Sequence, residues 1–437
     1  MRIINLDESS KNDILETLLK RSPSQYGEYQ TTVDEVLADV RENGDEAVLR
    51  MTEKFDGVKL TPQTLRVSPA EIKDAYTQVP DSLVETMKKS LANVRSFHEK
   101  QVRQSFITTR EDGVMLGQRI TAIERVGVYV PGGRAPLSSS VLMNIVPAKV
   151  AGVDRIVMCT PPRKDGTITP EVLVAADLAG ADEIYKCGGS QAIAALAYGT
   201  ETIPRVYKIV GPGNIFVTLA KKTVFGLVGI DSVAGPSEIL VLADETANPK
   251  YVAADLLSQA EHDPLASAIL VTTSKDLAEK VSALTEEMTE KQSRREVIEK
   301  SLENYGYILV ADSMDDAIAA VNEIASEHLE ILTKNPLDTM TKVRNAGAIF
   351  LGEYSSEPLG DYFAGPNHVL PTNGTARFSS PLSVDEFIKK TSLISYSEDA
   401  LREIHEDIIA FAKAEQLTAH ANSIAVRFGK EVTKVDE

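Results

Sequence analysis

The chain has 437 residues, of which 43% are hydrophobic and 25% charged, with a formal net charge of -18 at pH 7. That length accommodates two or more domains, each with its own core. The acidic balance excludes a nucleic-acid binder, which needs a basic footprint, and offers no attraction to anionic membranes.

Met1 to Asp7 meets polar and acidic residues at once and lacks the apolar core of a signal peptide. No run is apolar for long enough to span a bilayer. The two cysteines, Cys159 and Cys187, sit in apolar or glycine-rich segments and are expected as buried thiols without a catalytic role. A cytoplasmic globular protein handling a small molecule is therefore expected.

Helices come first. Ile14, Leu15, Leu18 and Leu19 share one face, and Val33, Val36, Leu37 and Val40 share another that Gly44 ends. Leu83, Met87, Leu91 and Val94 lead to His98, which continues that apolar stripe and reads as packed. From Arg125 the texture changes. Strand-like Arg125–Val130, Arg155–Cys159, Asp182–Lys186 and Val206–Val210 alternate with alanine-rich helical stretches, and Pro131-Gly132-Gly133-Arg134 breaks the first strand. A second passage repeats the rhythm at Glu238–Leu242, Ala268–Val271, Tyr307–Val310 and Ala348–Leu351. Such alternation predicts parallel sheets covered by helices, with ligands at the carboxyl ends of strands. A long irregular stretch follows Gly352 and is expected to be functional. The chain then returns to a helix over Leu401–Leu417 and closes on a short strand over Ser423–Arg427.

Three glycine turns follow strands of the first passage: Pro131-Gly132-Gly133, Gly188-Gly189-Ser190-Gln191 and Gly211-Pro212-Gly213-Asn214. Together they suggest a nucleotide crevice, although no turn carries the full dinucleotide fingerprint.

The chemistry-bearing residues are sparse. Gln259 and His262 lie three apart near the end of a predicted helix, on one face, with Pro264 just beyond. Taken alone they read as a polar helix end. Of six histidines, His98 reads as packed and His405 as part of a solvated face, which leaves His262, His328, His368 and His420. Adjacent Glu327 and His328 sit at a helix-to-strand junction and point different ways, so they suit two roles: a carboxylate to activate water and an imidazole to take an alcohol proton. Asp361 falls in the long loop with no helix to cap, and a helix end is expected between Glu415 and His420. Gln259, His262, Asp361 and His420 offer nitrogen and oxygen ligands that suit zinc, with manganese or another divalent ion as alternatives.

Six segments, taken together, resemble the histidinol dehydrogenase family. They are Glu124–Gly133, Gly211–Asn214, Ala234–Glu238, Gln259–Asp263, Ser326–Glu330 and Gly365–His368. The resemblance implies oxidation of L-histidinol to L-histidine, through histidinal, in two NAD-dependent steps at one site. It implies Gln259, His262, Asp361 and His420 as zinc ligands, and a metal that holds the substrate's imidazole and amino nitrogens. It makes His328 the base for the hydroxyl proton and Glu327 the residue that activates water on the aldehyde. Ser237, His368 and Glu415 match substrate contacts alongside those residues, and Tyr129, Gln191 and Asn214 match positions that hold the dinucleotide.

In architecture the resemblance implies an α/β chain of two incomplete Rossmann-like domains with small helical termini, paired as an intertwined homodimer. Residues 1–24 form the N-terminal segment. Residues 25–107 with 237–381 form the α/β domain carrying metal and catalytic residues, residues 108–236 the NAD-side domain, and residues 382–437 a segment exchanged with the partner. Two other readings stand beside this one: a relative oxidising another small polar alcohol, and a metal hydrolase in which Glu327 activates water on an amide or ester.

Overall fold

The computed structural model describes residues 1–19, 21, 27–132 and 137–432. The chain begins with β1 (Arg2–Asn5), α1 (Glu8–Leu19), α2 (Gly27–Asp56), α3 (Pro62–Leu65), α4 (Pro69–Gln78) and α5 (Asp81–Glu99). Strands β2 (Phe106–Thr109) and β3 (Met115–Ala122) follow. The first alternating passage is β4 (Arg125–Tyr129), α6 (Ser138–Ala151), β5 (Arg155–Thr160), α7 (Pro170–Ala179), β6 (Glu183–Lys186), α8 (Gly189–Tyr198), β7 (Lys208–Val210), α9 (Ile215–Val224) and β8 (Gly229–Ile230). The second opens with β9 (Glu238–Ala243), α10 (Pro249–Ala260), β10 (Ser267–Thr272), α11 (Lys275–Thr289), α12 (Arg295–Tyr305) and β11 (Gly306–Val310). It closes with α13 (Met314–Ile324), β12 (His328–Leu332), α14 (Pro336–Met340), β13 (Ala348–Leu351) and α15 (Glu357–Tyr362). Last come β14 (Ile388–Ser395), α16 (Glu398–Ala414) and α17 (Thr418–Ala425).

Two compact units result: Met1–Val102 with Ala122–Phe387, and Arg103–Thr121 with Ile388–Glu437. The larger unit holds both parallel sheets. One runs β6-β5-β4-β7-β8, the other β1-β11-β10-β9-β12-β13. Numbered within its own passage, each has the order 3-2-1-4-5, the dinucleotide-binding arrangement without its sixth strand, and β1 extends the second sheet at one edge. The duplicated rhythm in the sequence is thus a duplicated topology. Strands such as β9 and β10 are buried along their whole length, which is why they read as unbroken apolar runs.

Helices α2, α4 and α5 pack against α8, α7 and α6, on the five-stranded sheet. These three helices, from the stretch expected beside 237–381, thus set their apolar faces against helices of the first passage. Helix α5 also reaches the later part of the chain: Ser90 Oγ donates to the Tyr362 carbonyl at 2.5 Å and Asn93 Nδ2 to that of Phe363 at 2.8 Å. Gly44, at φ 48°, breaks the helical path as expected, so that two helices meet across a kink within α2, and a Cβ there would strike the Glu201 carboxylate.

The smaller unit contains the sheet β14-β3-β2, with α16 packed on α17 through Ile409, Ala412, Ala421 and Ala425. The strand expected over Ser423–Arg427 is instead the end of α17 and a single 3-10 turn. Ala421 and Ala425, four apart on the buried face, override the short alternation. His405 packs against the Phe428 ring at 4.5 Å and is half-buried, not part of a fully solvated face. Both cysteines are buried and free, and no helix among the described residues is long and apolar enough to cross a membrane.

Candidate active site

The two sheets use opposite edges. In the six-stranded sheet, β9 and β12 are neighbours at the point where strand order reverses, and the reactive groups stand where these strands begin: Glu238 opens β9 and His328 opens β12. The peptide N–H of Glu238 donates to Glu327 Oε2 at 2.9 Å, and its carbonyl accepts from His328 Nδ1 at 2.9 Å. A carbonyl only accepts, so Nδ1 carries the proton and Nε2 keeps its lone pair. That Nε2 is buried and has no hydrogen-bond partner among the described residues. Burial lowers the His328 imidazole to about 4, leaving it neutral at neutral pH. Burial also pushes the Glu327 carboxyl well above the carboxylate range, against the Glu238 N–H that favours its charge, with Glu238, Asp361 and Glu357 adding to the rise.

A second group lies at the end of α10. Asn248 caps this helix by accepting from the Lys250 N–H, and Val252, Ala253, Leu256 and Leu257 seat it on the sheet. Gln259 is 1% exposed, and neither Oε1 nor Nε2 of its amide has a hydrogen-bond partner. His262 is just past the helix in a turn whose N–H returns to the Gln259 carbonyl at 3.1 Å, and it is exposed. Asp361 does not sit in an unstructured loop: it belongs to the short α15, started by Pro358 at its first turn. One ligand atom from each of His262, Glu357 and Asp361 lies within 4.8 Å of the others.

Glu357 was not anticipated. Its spacing of four from Asp361 and the Ser356-Glu357-Pro358 start were the available signal, masked by Gly360 in so short a helix. Its N–H donates to Glu330 Oε1 at 2.8 Å and its Oε2 accepts from Ser258 Oγ at 3.0 Å. Burial and the neighbouring Asp361 raise Glu357 to about 8. Burial would raise Asp361 as well, but its bond to His368 prevails and holds it at about 2.

These donors fit a divalent cation of the zinc type, since imidazole, amide oxygen and carboxylate are its ordinary ligands. The orphaned Gln259 amide is the most telling part: leaving a buried polar group unpaired costs about 1–3 kcal/mol, a cost that a cation on Oε1 would remove.

His368 is engaged on both ring nitrogens, with Ser140 Oγ 3.2 Å from Nε2 and the Asp361 carbonyl 3.2 Å from Nδ1. It thereby links the Asp361 helix to the first turn of α6. Ser237 is half-buried directly before β9, its carbonyl accepting from Ser267 N–H at 3.0 Å.

The five-stranded sheet offers its carboxyl edge. Tyr129 ends β4 and its buried hydroxyl accepts from the Gly189 N–H at 3.1 Å, at the start of α8. Gln191 is buried in the same first turn. Asn214 caps α9, accepting from Phe216 and Val217 N–H groups at 3.1 and 3.2 Å. The preceding Gly211 has φ +115° and abuts the Tyr129 carbonyl, so a side chain is excluded there. Gly133 and Arg134 lie outside the described residues. Glu415 and His420 belong to the smaller unit, where Glu415 follows α16, His420 lies in the first turn of α17, and both are exposed.

A family model described as histidinol dehydrogenase matches residues 19–428. The chain belongs to the histidinol dehydrogenase family. It is 54% identical to the histidinol dehydrogenase of Clostridium acetobutylicum over 98% of this chain and 99% of that one. It is 56% identical to that of Bacillus subtilis over 94% and 96% respectively. A crystal structure of histidinol dehydrogenase from Elizabethkingia anophelis superimposes with a TM-score of 0.92 at 40% identity, covering 98% of both chains. Histidinol dehydrogenases are oxidoreductases of histidine biosynthesis that convert histidinol to histidine with NAD, and the six segments noted in the sequence fall within the matched span.

Proposed function

We propose that both oxidations, histidinol to histidinal and histidinal to histidine, occur at the site built on the amino ends of β9 and β12. The observation that carries this reading is the pair seated on the N–H and carbonyl of one residue, Glu238. His328 presents an unprotonated, unpartnered Nε2, and Glu327 stands beside it with Oε2 3.7 Å from Nδ1. His328 Nε2 takes the hydroxyl proton as hydride leaves the carbinol carbon. Glu327 then draws a proton from water adding to the aldehyde while His328 returns its proton to the aldehyde oxygen, and His328, neutral again, takes the hydrate's proton as the second hydride leaves. Keeping the aldehyde in one closed site avoids losing a reactive intermediate.

Gln259, His262 and Asp361, with His420 and with Glu357 alongside, would hold zinc, which when bound supplies a fixed anchor for the substrate's imidazole and amino nitrogens. Substrate contacts are assigned to Ser237, Glu415 and His368, the last through Asp361. Tyr129, Gln191 and Asn214 are assigned to NAD, supported by the two helix N-termini at the carboxyl edge of the five-stranded sheet. Glu415 and His420 reach the site from a second copy of the chain. The exposed Phe106, Ile107, Ile394 and Phe411 of the smaller unit support such pairing. A cytoplasmic setting suits the two free thiols.

The test is NADH absorbance on mixing the protein with NAD and histidinol, before and after chelation and after zinc is restored. Activity should vanish with the metal and return with zinc, while NAD binding persists throughout. Full activity in the chelated protein would overturn the metal assignment, and no NADH from zinc-loaded protein would overturn the whole.

A further inference from the structure

Arg21 is fully buried although it is charged, and it reaches residues more than two hundred positions away. Its Nη2 donates to Glu238 Oε1, and its Nη1 donates to the Leu265 carbonyl at 2.8 Å. The Tyr305 ring stacks on the guanidinium with its centroid 5.1 Å from Cζ. The other oxygen of Glu238 accepts from the Asn373 N–H at 3.2 Å, so the carboxylate is held from two sides. The same Glu238 supplies the N–H that holds Glu327 and the carbonyl that orients His328. Leu265 lies in the turn that carries His262, closed by the Ala266 N–H on the Asp263 carbonyl at 2.9 Å.

We propose that Arg21 is a positioning residue: by clamping Glu238 and the His262 turn together, it fixes the residue whose N–H and carbonyl seat both proton-transfer groups. The inference rests on the reading of Glu327 and His328 given above. A bland alternative is a buried ion pair that only stitches the N-terminal segment to the sheet. Apolar side chains serve that purpose at least as well, since replacing a buried ion pair with packed hydrophobics is often neutral or stabilising. What an apolar pair cannot do is hold a peptide in one orientation. Small displacements of a base from its proton are costly in rate, whereas binding made elsewhere is spared.

The experiment compares R21M, R21K and the double variant R21M/E238Q as full-length, zinc-supplemented protein, with rates normalised to folded protein. R21M should lower kcat for histidinol by about tenfold or more, with both KM values within about twofold of the parent. The double variant should recover at least about threefold, because the glutamine leaves no unpaired charge and still accepts from the Asn373 N–H. A lower melting temperature with unchanged kcat would overturn the proposal. If R21M does not fold, R21K and the double variant carry the same comparison. E327Q and H328N, run in parallel, separate the two levels. If they keep full kcat, the catalytic assignment itself fails; if they lose it while every Arg21 variant keeps it, the positioning role alone fails.

Discussion

At the scale of single residues, the site works by giving two adjacent side chains opposite protonation habits. Burial disfavours charge on both, so His328 is a neutral base over the working range while Glu327 tends to hold its proton. The sign of the pH dependence follows. His328 changes state only near about 4, so it should itself contribute no pH dependence to histidinol oxidation between about pH 6 and 9. Glu327, disfavoured as a charge by burial and by Glu238, Asp361 and Glu357 nearby, gains its active form only as pH rises, so the rate from histidinal should climb with pH. Separate pH profiles for alcohol and aldehyde substrates would check this. Glu327→Gln should slow the aldehyde step by about a hundredfold, the alcohol step much less, and abolish the climb. Equal losses in both steps would contradict the division of labour.

At the scale of elements, turns and strand ends do the positioning, and buried ion pairs hold the turns. Lys221 on α9 and Asp231 beyond β8 form such a pair, with side chains 3% and 5% exposed. Asp231 accepts the Gly211 N–H at 2.8 Å and Lys221 donates to the Gly211 carbonyl at 2.9 Å, so the peptide groups on both sides of Gly211 in the glycine turn are fixed. Lys221→Met strands Asp231 in the interior and should cost about 3 kcal/mol of stability, read as a fall in melting temperature. It should also raise KM for NAD several-fold while sparing zinc content; an unchanged KM would mean the turn does not meet the dinucleotide. Strands and turns of this kind were legible in the sequence, because buried parallel strands are unbroken apolar runs and the turns announce themselves with glycine and proline. So were Glu327 and His328 at their junction, Gln259 and His262 on one helix end, and the helix end between Glu415 and His420. Arg21, Glu238 and Glu357 were not. Their roles depend on contacts across long sequence separations, and a buried Arg or Glu carries no local periodicity that sets it apart from a solvated one. The strand expected at Ser423–Arg427 failed for a related reason: five residues are too few for alternation to outweigh packing against α16.

At the scale of the whole molecule, two copies of one topology have been put to different use. On the proposed reading, the five-stranded sheet keeps its ligand edge at the carboxyl ends, while the six-stranded sheet would do its chemistry from the amino ends of its two central strands. The smaller unit carries exposed apolar side chains, with Glu415 and His420 also exposed, and the proposed dimer with a shared site makes a test possible. Two inactive variants, His420→Ala and His328→Asn, should then complement each other. After mixed refolding, about half of the dimers should be mixed and each should hold one intact site, restoring about a quarter of parental activity. No recovery would place His420 in the same chain's site. Finally, the reversal leaves the carboxyl edge of the six-stranded sheet without catalytic duty. An open cavity of about 500 Å³ lies there, lined by Asp244, Asp312, Ser313, Thr333, Lys334 and Asp338 among others. The loops around it can lengthen, take up a tag or accept a grafted peptide without crossing the path of substrate or proton, so protein engineers have a permissive face on the far side of the reactive one.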